Sequence, residues 1–237
     1  MIRLPIRDRP SPNHGSRDER QPRIDMLVLH YTGMHSAEAA LDRLCDPAAR
    51  VSAHYVVEES GLIWRLVPEE RRAFHAGLSC WQGQTNLNLV SIGIEIVNPG
   101  HEWGYRAFPS VQMTAVEHLC REILFRHPVP PHRVVGHSDI APDRKTDPGE
   151  LFDWLRLARA GVGIWPEPSR QLQATVSDRR QAVADLSAIG YCVTPATERS
   201  AVAAFQRRFR PRRVDGFIDG ETATRLTEVR VAIEAVR

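Results

Sequence analysis

Three short apolar runs constrain this chain more than any other feature: "MLVLH" at 26–30, "SIGIEIVN" at 91–98 and "RVVGH" at 133–137. Each is too short for a buried helix, and each reads as a strand. The first is apolar throughout, as expected of a strand buried on both faces. The second alternates strictly, so Ile92, Ile94 and Ile96 face one way while Gly93, Glu95 and Val97 face the other. Between the runs lie segments of helical spacing. "SAEAALDRLCD" carries Ala39, Leu41 and Leu44 inward behind Ser36 as N-cap, and "SVQMTAVEHLCREILFRH" carries Val116, Leu119, Ile123 and Leu124 inward. "SAHYVVEESGLIWRLVP" reads as strand, turn at 59–61, strand, and "ELFDWLRLAR" as a further helix. The sequence therefore predicts an α/β fold, a sheet covered by helices.

Behind this unit, "GVGIWPEPSRQLQATV" at 161–176 is rich in proline and glycine and reads as a linker. Three helical patterns follow, at about 177–189, 197–209 and 220–235. Val202, Phe205 and Phe209 form one stripe on the second, and Asp219 is the expected N-cap of the third. The predicted organisation is 1–160, with residues 1–24 as a polar lead-in lying over the surface, then the linker, then a small three-helix unit at 177–237. A net charge of +2 gives no argument for nucleic acid. Cys45, Cys80, Cys120 and Cys192 show no paired spacing and read as reduced thiols. No run approaches the roughly 20 apolar residues of a membrane span.

The ionisable groups concentrate in "GHSDIAPDRKTDPG" at 136–149, a loop that proline and glycine keep irregular. Lys145 within it is the only lysine among 31 basic residues. An ammonium approaches one atom as a point charge, which the planar guanidinium does not. His30 and His137 both end strands, and Asp147 lies across the loop from His137. Two imidazoles and a carboxylate form a ligand set for catalytic zinc, although spacing alone leaves structural histidines as the alternative. Glu95 sits on an otherwise apolar strand, where a carboxylate is expensive to bury unless paired or functional, and Gly93 on the same face leaves room for a ligand. The alternative for Glu95 is the wet face of a half-exposed strand, and for Lys145 a surface ion pair.

Together, "LVLHYTGM", "VSAHYVVEESGLIWRLVPEERRAFHAG", "SIGIEIVN" and "GHSDIAPDRKTDPG" resemble the zinc-dependent N-acetylmuramoyl-L-alanine amidases, relatives of the peptidoglycan recognition proteins. The resemblance covers about residues 10 to 160. It implies a mixed central sheet flanked by helices and a Zn2+ cofactor held by His30, His137 and Asp147. It also implies Glu95 as catalytic carboxylate and Lys145 as active-site cation. His75 is expected to line the substrate groove and His54 to be structural. Trp81, Asn86 and Asn88, on the loop before the Glu95 strand, are candidates for sugar or peptide contact. The tail, through "FQRRF" and "DGFIDGETATRL", resembles a three-helix peptidoglycan-binding domain. Its cluster Arg207, Arg208, Arg210, Arg212 and Arg213 reads as a solvated face or a contact with anionic wall peptide.

The expected reaction is hydrolysis of the amide between N-acetylmuramic acid, or its 1,6-anhydro form, and L-alanine of the stem peptide. The expected partner is peptidoglycan or a muropeptide, and nucleic acid is not expected. A binding protein that does not cut is the main rival; a metallopeptidase is disfavoured because no H-E-x-x-H occurs. The N-terminal residues lack a signal-peptide core, which favours the cytoplasm over the periplasmic alternative. Oligomeric state is not legible.

Overall fold

The computed structural model describes residues 6–17, 23–167 and 178–236. The strands are β1 Ile6–Asp8, β2 His14–Ser16, β3 Met26–Tyr31, β4 Tyr55–Val57, β5 Ile63–Arg65, β6 Arg71–Ala73, β7 Ser91–Ile96 and β8 Val134–Gly136. Six of them form one sheet in the order β1-β5-β4-β7-β3-β8. Its pairings are parallel except at the β4–β5 hairpin, so the sheet is mixed. β2 and β6 form a separate antiparallel pair.

The helices are α1 Ala37–Cys45, α2 Ser110–Arg126, the single turn α3 His137–Ile140, α4 Trp154–Arg159, α5 Arg179–Ile189, α6 Glu198–Phe209 and α7 Gly220–Glu234. Ser36 caps α1 by accepting from Ala39 N, and Asp219 caps α7 by accepting from Thr222 N. Ala40, not Ala39, joins Leu41 and Leu44 in the core. The lead-in does more than lie over the surface: β1 pairs with β5 at the sheet edge, and Arg9 bonds Glu38 and Asp42 on α1. All three β1 residues are exposed, so no apolar pattern marked the strand.

Strand alternation decides what covers each face. Leu27 and Leu29 of β3, with Ile92, Ile94 and Ile96 of β7, pack against Val116, Leu119 and Ile123 of α2. Each such buried side chain contributes roughly 1.5–3 kcal/mol. On the opposite face, Met26 and Val28 pack in one apolar cluster with Leu186 of α5, Phe205 of α6 and Leu226 of α7. The C-terminal helices therefore supply the second cover of β3 near its start. Further along the same face, Leu41 and Leu44 of α1 cover Val56 of β4. A gap is left between these two covers, over the ends of β3 and β7.

Two expectations about the tail are corrected. Cys80 and Cys192 are joined as a disulfide with Cα atoms 5.9 Å apart, so these are not reduced thiols. Their separation of 112 residues hid the pairing, because only the docked tail brings them together. The linker begins as core: Val162 and Ile164 are buried and Trp165 packs on both large clusters. Its remainder, from 168, lies outside the described residues.

Candidate metal centre

In the parallel β3–β7 pair, His30 stands opposite Glu95, so both side chains leave the carboxyl ends of neighbouring strands on the same face. β8 flanks β3 on its other side, with Gly136 opposite Leu29, and His137 follows immediately. In open α/β sheets this end of the strands is where ligands bind. The loop then returns Asp147 to the same point, tied by Ser138 N donating to Asp147 O at 2.9 Å.

Three donors converge there. His30 Nδ1 lies 3.0 Å from His137 Nδ1, and each stands 3.1 Å from Asp147 Oδ2. Donors around a tetrahedral zinc with bonds of about 2.0–2.1 Å stand roughly 3.3 Å apart. The cluster is therefore the right size for one small ion. Among the described residues it is the only group of this kind found.

The remaining ring nitrogens show how the lone pairs are aimed. His137 Nε2 faces Ala76 O at 3.3 Å and can only donate to it, which leaves Nδ1 free to ligate. Behind His30 runs a relay. Ser91 Oγ donates to Leu87 O at 2.7 Å, so it accepts from His75 Nε2 at 3.1 Å. His75 Nδ1 then accepts from His30 Nε2 at 3.0 Å, and His30 Nδ1 too is left with its lone pair. Such partners fix ligand tautomer and orientation.

Electrostatics agree. Burial, then the His137 charge, lowers the His30 pKa to about 4 against the pull of Asp147. Burial alone would raise Asp147, but His137 and His30 outweigh it and hold the carboxyl well below its ordinary range. At neutral pH a neutral imidazole and an ionised carboxylate are the forms a metal needs. Burial pushes Glu95 well above the ordinary carboxylate value, Asp147 adds to this, and Lys145 opposes it. Among the described residues Glu95 Oε2 is buried with no hydrogen-bond partner. Glu95, Lys145, His137 and Asp147 line a groove of about 750 Å3, with Tyr31 and Arg43 further along its walls.

Of the other expected residues, His75 alone lines this groove. His75 reaches the groove wall, but its main contacts are behind His30. Gly93 is the reason it fits, since a Cβ there would run into the His75 ring. His54 accepts from Gly93 N through Nδ1 and is fully buried, as a structural histidine should be. Trp81 does not face the groove. It is 2% exposed and meets Tyr191 edge-on at 5.0 Å, because the tail docks on it. Asn88 is also turned inward, its Oδ1 accepting from His75 N and Ala76 N. Asn86, left-handed at φ 55°, lines a separate cavity of about 350 Å3 beside Cys80. Sequence reasoning missed Ser91 and Ala76 as partners of the site. The serine opening an alternating strand on the Glu95 face was the available signal for Ser91.

Comparison with known proteins agrees with this geometry. Residues 20–150 match the family described as N-acetylmuramoyl-L-alanine amidase. The chain is 39% identical to the N-acetylmuramoyl-L-alanine amidase AmiD of Escherichia coli K12 over 224 residues, 85% of this chain and 80% of AmiD. It is 35% identical to the 1,6-anhydro-N-acetylmuramyl-L-alanine amidase AmpD of Salmonella typhimurium SL1344 over 173 residues, 65% of this chain and 89% of AmpD. A solved complex of E. coli AmiD with anhydro-N-acetylmuramic acid-L-Ala-D-gamma-Glu-L-Lys superposes with a TM-score of 0.81 at 37% identity, covering 88% of this chain and 89% of that one.

Proposed function

This chain belongs to the N-acetylmuramoyl-L-alanine amidases, and from that premise we propose that it uses zinc to hydrolyse the amide between the lactyl group of N-acetylmuramic acid, or of its 1,6-anhydro form, and L-alanine of the stem peptide. The observation that carries the zinc reading is the triangle of His30 Nδ1, His137 Nδ1 and Asp147 Oδ2, beside Glu95 Oε2, which has no hydrogen-bond partner among the described residues. The anhydro substrate in the AmiD complex supports the muropeptide reading.

His30, His137 and Asp147 would hold the ion, which when bound supplies Lewis acidity toward a carbonyl and toward water. The half-buried Glu95 has the raised proton affinity of a group that takes a proton from attacking water and returns it to the leaving amine. Its free Oε2 is where that proton would reside. Lys145 lines the same groove and brings a fixed positive charge to the oxyanion that develops on the scissile carbonyl. The groove takes the stem peptide and the muramyl group between α1 and the loop that carries Lys145.

Two finer readings belong to the same proposal. The helices of 178–236 offer an outer face to wall polymer, where Phe217 is 57% exposed beneath the Arg199 guanidinium at 4.5 Å. The arginine cluster itself is largely spent internally: Arg208 pairs with Asp139, Arg210 with Asp219 and Glu221, and Arg213 with Asp215, which supports the absence of a nucleic-acid partner. The Cys80–Cys192 disulfide supports an oxidising compartment, the periplasmic alternative rather than the cytoplasm. Among the described residues no helix is long and apolar enough to cross a membrane.

The test is mass spectrometry of products after the protein, with and without a zinc chelator, meets 1,6-anhydro-muropeptides and intact sacculi separately. Chelator-sensitive release of whole stem peptides starting at L-alanine is expected, and the preferred substrate separates recycling from wall remodelling. Glu95→Gln should keep zinc yet lose on the order of a hundredfold or more in kcat. No release from either substrate by zinc-loaded protein would leave a muropeptide-binding protein instead.

A further inference from the structure

The turn that carries His137 is held from outside the sheet unit. Asp139, two residues on, is 1% exposed. Its Oδ2 accepts from Gly136 N at 2.8 Å, closing the turn over the residue before the ligand. The rest of the carboxylate is satisfied by the tail. Tyr191 Oη donates to Oδ1 at 2.6 Å, and Arg208 Nη1 donates to Oδ2 at 3.1 Å. Arg208 is itself fixed, lying over the Trp154 ring at 4.1 Å with 6% exposure. Tyr191 is 3% exposed and lies against Trp81, where Gly190 permits the approach: a Cβ at 190 would meet the indole.

We propose that the C-terminal helical unit is a positioning element of the metal centre: Tyr191 and Arg208 hold the Asp139 carboxylate, and through it the turn that presents His137. The physical reason is that a buried carboxylate persists only when paired. Without Tyr191 and Arg208, Asp139 would have to reach for water and give up Gly136 N, and that bond sets the backbone leading into His137. Independent ties act on the same turn. Cys80 N donates to Ile140 O at 2.8 Å, and Cys80 is covalently joined to Cys192 of the tail. The role differs from tethering the enzyme to wall polymer, because it acts inward on the site and requires no polymer.

The inference rests on the zinc reading above, and the experiment separates the two. Zinc affinity of the full chain is measured by competition with a chromophoric chelator for wild type, Tyr191→Phe, Arg208→Gln and Arg210→Gln, with the melting temperature of each metal-free protein. Arg210 pairs with Asp219 and Glu221 inside the tail and does not touch Asp139, so it reports loss of tail stability alone. Partners bonded directly to a ligand change metal affinity by about 10- to 100-fold. Tyr191 and Arg208 act through Asp139 and the Gly136 backbone, not on a ligand itself, so the expected loss is smaller, about three- to tenfold in Tyr191→Phe and Arg208→Gln, with no change in Arg210→Gln. Tyr191→Phe removes one hydroxyl and keeps the ring packing, so it remains informative if Arg208→Gln folds poorly. Equal zinc affinity in Tyr191→Phe and wild type overturns the proposal and makes the Asp139 contacts a fastener only. A wild-type protein that binds no zinc instead overturns the functional reading on which the proposal stands.

Discussion

Removing the His75 ring isolates the relay behind His30, and its effect can be sized from the structure. In His75→Ala the metal-free protein can adapt: His30 shifts its proton to Nδ1 and donates to Asp147 Oδ2, 3.1 Å away. Zinc binding then forces the proton back to Nε2, at a residue 1% exposed whose acceptor is gone. A buried donor left unpaired costs about 1–3 kcal/mol. With tenfold per 1.4 kcal/mol, zinc affinity should fall about five- to 150-fold. His75→Gln supplies a side-chain oxygen toward His30 and should recover part of the loss. Gly93→Ala, which drives a methyl into the His75 ring, should lose affinity although it replaces no member of the relay. The assay is chelator competition at fixed neutral pH, with melting of the metal-free proteins as the control for folding. If His75→Ala binds zinc as tightly as wild type and melts at the same temperature, the relay does not orient His30 and the reasoning is refuted.

Glu69 offers a test of the fold's acid sensitivity away from the site. Burial would raise its pKa, but Arg126, His127 and Tyr55 all hydrogen-bond to it and lower the carboxyl to about 2 from 4.5. A carboxyl depressed by folding stabilises above its unfolded value and loses that contribution as pH falls from about 4.5 towards 2. The difference is worth up to about 3 kcal/mol. Urea unfolding should therefore find Glu69→Gln weaker than wild type at pH 7 and the two converging near pH 2–3; a gap independent of pH would contradict the assignment. The disulfide closes 112 residues, and breaking it by reductant or by Cys80→Ser with Cys192→Ser should cost about 2–5 kcal/mol. An unchanged urea midpoint under reductant would count against the pairing.

The parts of the fold that were legible are those whose signal is local. β3 and β7 follow from runs long enough to show continuity or alternation, and the helix starts at Ser36 and Asp219 follow from caps that bond within three residues. The grouping of His30, His137 and Asp147 was suggested by two strand ends and a loop, where spacing alone left structural histidines open and the family resemblance named the ligand set. β1 and β2 were not legible, since none of their residues is buried and they carry no apolar pattern. His75 was expected at the groove and does line it, but its partners Ser91 and His30, 16 and 45 residues away, were not legible. Nothing in the spacing of those residues states that Gly93 opens the space between them.

Trp81 was read as a substrate contact, Cys80 and Cys192 as reduced thiols, and Arg208 as part of a solvated face or a wall-peptide contact, and the structure gathers these residues at one seam. Trp81 meets Tyr191, Cys80 meets Cys192, and Arg208 meets Asp139, each pair joining the sheet unit to the tail. Their common cause was visible in "MLVLH". A strand apolar on both faces needs two covers, α2 supplies one, and α1 reaches only the β4 side of the other. Met26 and Val28 therefore demanded a further layer, which the apolar faces of α5, α6 and α7 supply, the stripe of Val202, Phe205 and Phe209 among them. Once those helices dock, the polar residues around the stripe must be paired or buried unpaired, and Tyr191 and Arg208 are paired to the carboxylate beside a metal ligand. The same apolar requirement that recruits the tail thus brings it within two residues of His137, which is why its packing and the geometry of the site are one problem.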